Sequence, residues 1–144
     1  MNANCIFDTT ILVYAYDNSE GKRHEISKAK VERVFSGDEE GIVSNQVLSE
    51  LYNVLTKEMR LSFTSAEAMD IVKNFILSNK WAKVNYTQDT VLKAMITSST
   101  YGSPFWDTLI AETAKENGVT TVLTENEKDF KKIPGIKIVN PFKQ

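Results

Sequence analysis

Residues 4–10 read Asn4-Cys5-Ile6-Phe7-Asp8-Thr9-Thr10. A short apolar run, too brief for a buried helix, predicts a buried strand over 4–7, and an aspartate closes it. Four further runs follow the same pattern, at 41–43, 83–85, 120–123 and 137–139, and most lead into a stretch with helical periodicity. The expected helices span 26–35, 45–60, 65–78, 88–99 and 105–117. Their ends carry recognisable signals: Thr64 with Glu67 forms a capping box, Ser103-Pro104 reads as a cap followed by proline at the first helical position, and Gly118 stands where a left-handed C-cap is expected. Strands alternating with helices predict an α/β fold around a parallel sheet.

In such a sheet ligands bind outside the carboxyl ends of the strands, and the acidic residues recur there. Asp8 ends the first strand, Glu50 lies in the helix after the second, Asp107 sits in Phe-Trp-Asp-Thr-Leu-Ile, and Glu125 and Asp129 follow Thr-Val-Leu-Thr. Carboxylates gathered in one cleft repel one another unless protons or a cation neutralise them, and hard oxygen donors suit Mg²⁺ or Mn²⁺. Each acid also has an ordinary reading. Asp8 is a good N-cap for the turn at 11–16. Glu50 lies at the edge of the apolar arc of Val47, Leu51, Val54 and Leu55, as a solvated glutamate would. Glu125 and Asp129 read singly as loop acids. Asp107 is the exception, because Ile110, Ala111 and Ala114 share its helix face and turn its carboxylate inward, where it needs partners. Hydroxyls accompany three acids, Thr9 beside Asp8, Thr108 beside Asp107 and Thr124 beside Glu125, and could orient a carboxylate, a water or a phosphate oxygen.

Composition bounds the class. The 144 residues with 42% hydrophobic content suffice for one core, so a single domain over 1–144 is expected. The start of the chain has no basic region or apolar signal core, and no apolar stretch is long enough to span a bilayer, which predicts a cytoplasmic protein without membrane attachment. One cysteine excludes an intrachain disulfide and a thiolate metal cluster. A net charge of −2 is unlike that of a protein held to nucleic acid by bulk electrostatics, so any basic surface is local. Lys22, Arg23, His24, Lys28, Lys30 and Arg33, interleaved with Glu20, Glu25 and Glu32, read as a solvated face. Lys128, Lys131 and Lys132 form a second basic group able to track a phosphate backbone. The aromatics Tyr14, Tyr16, Tyr52, Phe105 and Trp106 are mostly core by periodicity, with Tyr16 or Phe105 near enough to the cleft to stack on a base.

Four segments carry a family resemblance: residues 7–16 (FDTTILVYAY), 44–51 (SNQVLSEL), 105–114 (FWDTLIAETA) and 123–141, which begins LTENEKDF and ends in IPGIKIVNP. In order and spacing they resemble the PIN-domain ribonucleases, and within them the VapC-like toxins of type II toxin–antitoxin modules. The resemblance covers nearly the whole chain. It implies a three-layer α/β/α fold with a short, mainly parallel central sheet. It also implies an acidic site of Asp8, Glu50 and Asp107 holding Mg²⁺ or Mn²⁺. For the fourth acid this chain departs from the pattern: relatives often carry it at the position of Asn126 or at the aspartate before the phenylalanine, here Asp129, so Asp129 is favoured, Glu125 is the substitute, and Asn126 is a candidate neutral ligand. The implied reaction is metal-assisted hydrolysis of RNA phosphodiesters, with Thr9, Thr124 and Asn126 positioning substrate or water.

As partners the resemblance implies RNA, a cognate antitoxin and a second copy of the chain, and the broad apolar stripe of the helix at 65–78 (Met69, Val72, Phe75, Ile76) offers an edge for a partner helix. Two alternatives stand beside it. A PIN domain degenerate in its fourth acid would be an RNA-binding or scaffold module. A phosphatase of the haloacid dehalogenase type also begins with an aspartate at the end of the first strand, but wants another two residues on, where this chain has Thr10.

Overall fold

Ile6 and Phe7 are at most 1% exposed, as adjacent strand residues are when a sheet is covered on both faces. A computed structural model of the protein describes residues 4–58 and 61–143. There, these two residues form β1, the middle of five strands: β1 Ile6–Phe7, β2 Gly41–Ser44, β3 Trp81–Val84, β4 Thr121–Leu123 and β5 Lys137–Val139. Their order is β3-β2-β1-β4-β5. Every neighbouring pair is parallel, with Ile6 opposite Ile42 on one side and opposite Val122 on the other. The order reverses between β1 and β4, so the crevice at their carboxyl ends is where a ligand belongs in a fold of this kind.

Among the described residues seven α-helices accompany the sheet: α1 Thr9–Tyr16, α2 Lys22–Ser36, α3 Asn45–Lys57, α4 Ser65–Leu77, α5 Gln88–Tyr101, α6 Phe105–Glu116 and α7 Glu127–Phe130. Right-handed crossovers put α1 to α4 on one face of the sheet and α5 to α7 on the other. The packing agrees, α1 against α2 and α3, α3 against α4, and α5 against α6. The result is the expected three-layer α/β/α arrangement, with the sheet wholly rather than mainly parallel.

An aromatic cluster fixes the packing of β1, β3 and α4. Phe7, Phe75 and Trp81 are all at least 99% buried. Their rings meet edge to face, with centroids 4.8 Å apart for Phe7 and Trp81 and 4.9 Å for Phe75 and Trp81. Gly41 lets β2 enter this cluster, since a Cβ there would lie 2.8 Å from the Trp81 ring and 2.9 Å from Val34.

Several expectations shift. The turn expected at 11–16 is the helix α1, with Asp8 as its N-cap. The helix expected from residue 26 starts at Lys22, and the strand expected at 83–85 runs Trp81–Val84. The helix expected over 45–60 ends at Lys57, and Met59 and Arg60 lie outside the described residues. The capping box at Thr64 and Glu67 forms, and Gly118 takes the left-handed conformation with φ 76°. Ser103, however, does not cap α6. Pro104 occupies the cap position, and the Ser103 hydroxyl is 2.6 Å from that of Thr108, which donates to the Pro104 carbonyl at 2.7 Å. Thr108 is therefore fixed at the start of the helix and does not serve Asp107. Among the described residues no helix is long and apolar enough to cross a membrane.

Candidate active site

Asp8 and Thr124 stand side by side because β1 and β4 are paired and each ends there, Asp8 N–H continuing the ladder to the Leu123 carbonyl at 3.0 Å. Asp8 is 6% exposed. One carboxylate oxygen accepts from the Thr9 amide at 2.8 Å and the other from the Thr124 hydroxyl at 2.7 Å. Each oxygen keeps a second lone pair for another partner. Burial raises the Asp8 carboxyl to about 6 despite these two donors, and Glu50 and Glu125 push it the same way.

Glu50 lies in the second turn of α3, which Ser44 starts by accepting from the Val47 amide at 3.1 Å. Thr9 donates its hydroxyl to Glu50 at 2.6 Å, and so bridges two acids, its amide on Asp8 and its side chain on Glu50. Gln46, one turn earlier on α3, donates through Nε2 to Glu50 at 3.2 Å and to the Trp106 carbonyl at 3.1 Å. With both protons directed at acceptors, Gln46 Oε1 is left buried with no hydrogen-bond partner. Such a group is unfavourable by roughly 1–3 kcal/mol.

Asp107, in the first turn of α6, is half-buried at the rim of the cleft, whereas the helix residues after it, Thr108 to Ala114, are buried. The inward orientation expected from its helix face is corrected: it faces the other acids across the cleft and not the apolar core. Burial raises its carboxyl to about 6, and repulsion from Asp8, Asp129 and Glu50 adds to the shift. Asn126 occupies the N-cap position of α7 without a side-chain cap and donates through Nδ2 to Asp107 and to Asp129, at 3.1 Å each, while its backbone N–H donates to the Thr124 hydroxyl at 3.0 Å. Asp129 also lies 3.8 Å from Lys132.

Glu125 faces a different set of partners. It accepts from the Tyr14 hydroxyl and, at 2.8 Å, from Arg23, whose guanidinium lies 5.3 Å from the Phe142 ring centroid. Arg23 thus belongs to a specific ion pair and not only to a solvated face. Thr124, expected to serve Glu125, serves Asp8. His24 Nδ1 donates to the Tyr14 carbonyl at 2.8 Å. Burial pushes the thiol of Cys5 up to about 11.

Asp8, Glu50, Asp107 and Asp129 therefore surround one crevice, cross-braced by Thr9, Thr124, Gln46 and Asn126. Gln46 and Asn126 are neutral amides holding acids in register. Asn126 was marked by its place in the motif, while Gln46 had only its four-residue offset from Glu50 as a signal. Among the described residues no three Asp, Glu, His or Cys side chains converge tightly enough to cage an ion by themselves. One or two carboxylates, several waters and a substrate phosphate are how Mg²⁺ is commonly bound, and Asp8 and Asp107 could supply such carboxylates. The donor set fits: hard oxygens, two of them with raised pKa values that a positive charge would reverse, and no imidazole or thiolate among them.

The PIN domain family profile matches residues 5–136, and the chain belongs to this family. No curated protein matches the sequence significantly. Among solved structures, the fold is similar to VapBC2 from Rickettsia felis bound to a promoter DNA fragment, with TM-score 0.69, 20% identity, and 96% of this chain and 98% of that one covered. A toxin–antitoxin complex from Klebsiella pneumoniae gives TM-score 0.65 and 22% identity over 96% and 98% of the chains. VapC20 from Mycobacterium tuberculosis, described as a sarcin–ricin loop cleaving toxin, gives 0.66 and 16% over 90% and 94%.

Proposed function

We propose that this chain is one nuclease domain over residues 1–144 that hydrolyses RNA phosphodiester bonds with the help of Mg²⁺ or Mn²⁺, and that it is the toxin of a toxin–antitoxin pair acting in the cytoplasm. The observation that carries the reading is the crevice of four acids at the carboxyl ends of β1 and β4, two of them raised toward neutrality by burial and mutual repulsion. Structural likeness to toxins of such pairs supports the biological assignment.

Asp8 and Asp107 would hold the ion, with Glu50 and Asp129 completing its surroundings. A divalent cation in such a site lowers the pKa of water and offsets charge on the phosphate. The chain's own groups orient and hold protons. Thr9 and Gln46 keep both Glu50 oxygens engaged, which fixes that carboxylate as an acceptor for a proton from the attacking water. Thr124 and the Thr9 amide favour the ionised form of Asp8 and offset part of its burial. Asn126 keeps Asp107 and Asp129 side by side in spite of their like charge. Lys128, Lys131 and Lys132 on and after α7 supply local positive charge for the RNA backbone.

Two surfaces support the partners. A groove of about 810 Å³ between α3 and α4, lined by Leu48, Tyr52, Met69, Val72 and Ile76, suits an apolar segment of an antitoxin. On α5, Leu92, Met95 and Ile96 are each at least half exposed and suit a second copy of the chain.

Cleavage of mixed RNAs, followed with Mg²⁺, with Mn²⁺ and in chelator, tests the central statement. Asp107→Asn removes one charge with little change of shape. It is expected to lower cleavage by at least 100-fold while preserving the fold, and expression of the wild type but not of this variant is expected to slow growth. Cleavage that survives chelator, or an unimpaired Asp107→Asn, would falsify the metal-dependent reading. A stable protein that binds RNA and never cleaves it points instead to the degenerate scaffold, which Asn126 at an acid's position favours.

A further inference from the structure

Next to Glu50 lies a second cleft of about 380 Å³, bounded by the start of α3, the residues after β3 and the first turn of α6. Its size falls in the range of small-molecule sites, roughly 300–1,000 Å³. Asn45, Gln46 and Glu50 line one side, Asn85 and Tyr86 another, and Trp106 a third. Trp106, expected in the core, is 60% exposed, and Phe105 packs edge-on against it with centroids 5.2 Å apart. An indole ring is thus held in solvent one residue from Asp107.

Resting on the ribonuclease reading, we propose that this cleft is a base-binding subsite. An unpaired nucleobase beside the scissile phosphate stacks on Trp106 and meets the amides of Asn45 and Asn85 at its edge. Three features select a base over other ligands. The wall is neutral apart from Glu50, which repels a phosphate but tolerates a neutral ring. Three of the polar groups are amides, each offering donors and an acceptor, as the edge of a base does, and the hydroxyls of Ser49 and Tyr86 can donate or accept beside them. Every base presents a π-face, so one exposed aromatic beside a phosphate-directed site holds single-stranded RNA without requiring one sequence.

Gln46 links this cleft to the acids. It donates to Glu50 and to the Trp106 carbonyl at once, and its Oε1 is a buried acceptor with no partner. A ligand seated against this wall packs on the side chain that orients Glu50. Gln46 is a positioning residue in this scheme, and Trp106 a binding one.

Trp81 is 1% exposed and Trp106 60%, so quenching of tryptophan emission by an added ligand reports on Trp106. The test titrates short single-stranded oligoribonucleotides, with Mg²⁺, into Asp107→Asn protein, which keeps substrate intact, while an abasic nucleotide is walked along the strand. One abasic position is expected to weaken binding roughly 5- to 150-fold, the ratio corresponding to one stacked base. Trp106→Ala and Trp106→Phe, which lack the reporting indole, are read in the same background by the anisotropy of an end-labelled strand: Trp106→Ala should lose the same factor on the intact strand and become indifferent to the abasic position, and Trp106→Phe should retain most of the affinity. Equal binding of intact and abasic strands overturns the proposal. So does a Trp106→Ala protein that still senses the abasic position, or one that changes oligomeric state in light scattering with RNA affinity unchanged. Cleavage by protein with Asp107 intact separates this inference from its premise. Base-dependent quenching without cleavage keeps the subsite and removes the nuclease, whereas cleavage indifferent to Trp106 keeps the nuclease and removes the subsite.

Discussion

Asp8 serves the fold and the site with the same carboxylate. As the N-cap of α1 it satisfies an orphan amide, and as a buried acid raised from 3.8 to about 6 it opposes folding once ionised. A folded-state pKa above the unfolded one means the folded protein holds the proton more tightly. The associated stability is present in full below about pH 4 and is lost as pH rises through about 6. Asn also caps helices well, so Asp8→Asn keeps the cap and removes the titration. In chelator, the stability of this variant relative to wild type is expected to rise between pH 4 and pH 7 by up to ~3 kcal/mol, measured by denaturant unfolding at a series of pH values. A difference that stays flat with pH contradicts the burial of a titrating carboxylate. The two candidates for the fourth acid separate on their partners. Asp129 shares the Asn126 amide with Asp107, whereas Glu125 is bound to Arg23 and Tyr14. Asp129→Ala should therefore reduce cleavage about tenfold or more and Glu125→Ala less. The reverse order in measured kcat would move the site to Glu125.

At the scale of elements, regular patterns were legible and special ones were not. The strands at 41–43 and 137–139 and the helices from 45, 65, 88 and 105 stood out because apolar period, cap and breaker agreed. α1 was missed because Ile11, Leu12, Val13 and Ala15 are buried nearly all round, leaving no polar face to reveal a period. α7 was missed because four residues carry no period at all. The acids were found by their place after strands, which the topology dictates. Their braces were harder to read, since Gln46, Tyr14 and Arg23 acquire roles only when α1, α2, α3 and the loop after β4 meet. Trp106 was misassigned because its neighbours on α6 are apolar, although its own direction is outward. Gly41 illustrates an element-scale constraint that can be checked directly. Its backbone approaches Trp81 and Val34 more closely than any Cβ permits, so Gly41→Ala forces β2 away from the aromatic cluster. A loss of about 1–3 kcal/mol is expected in unfolding experiments. An unchanged midpoint would mean that the cluster yields freely.

For the whole molecule, the two helical layers differ in what they leave uncovered. Leu92, Met95 and Ile96 project from α5 at 53%, 50% and 57% exposure, a larger apolar display than a solitary surface residue needs. If this face joins two copies, Ile96→Glu should convert a dimer to a monomer in light scattering while the secondary structure is retained. A wild type that is monomeric at micromolar concentration argues against it. The crevice has a further consequence for how such chains change over time. Its acids repel one another, and substitutions that neutralise them relieve that repulsion. Mutational drift in a copy no longer selected for activity is therefore biased toward erasing the crevice first, with the sheet and caps intact. Retention of Asp8, Glu50, Asp107 and Asp129 together would then be a signature of continuing selection, and comparison of orthologues can read it without any assay.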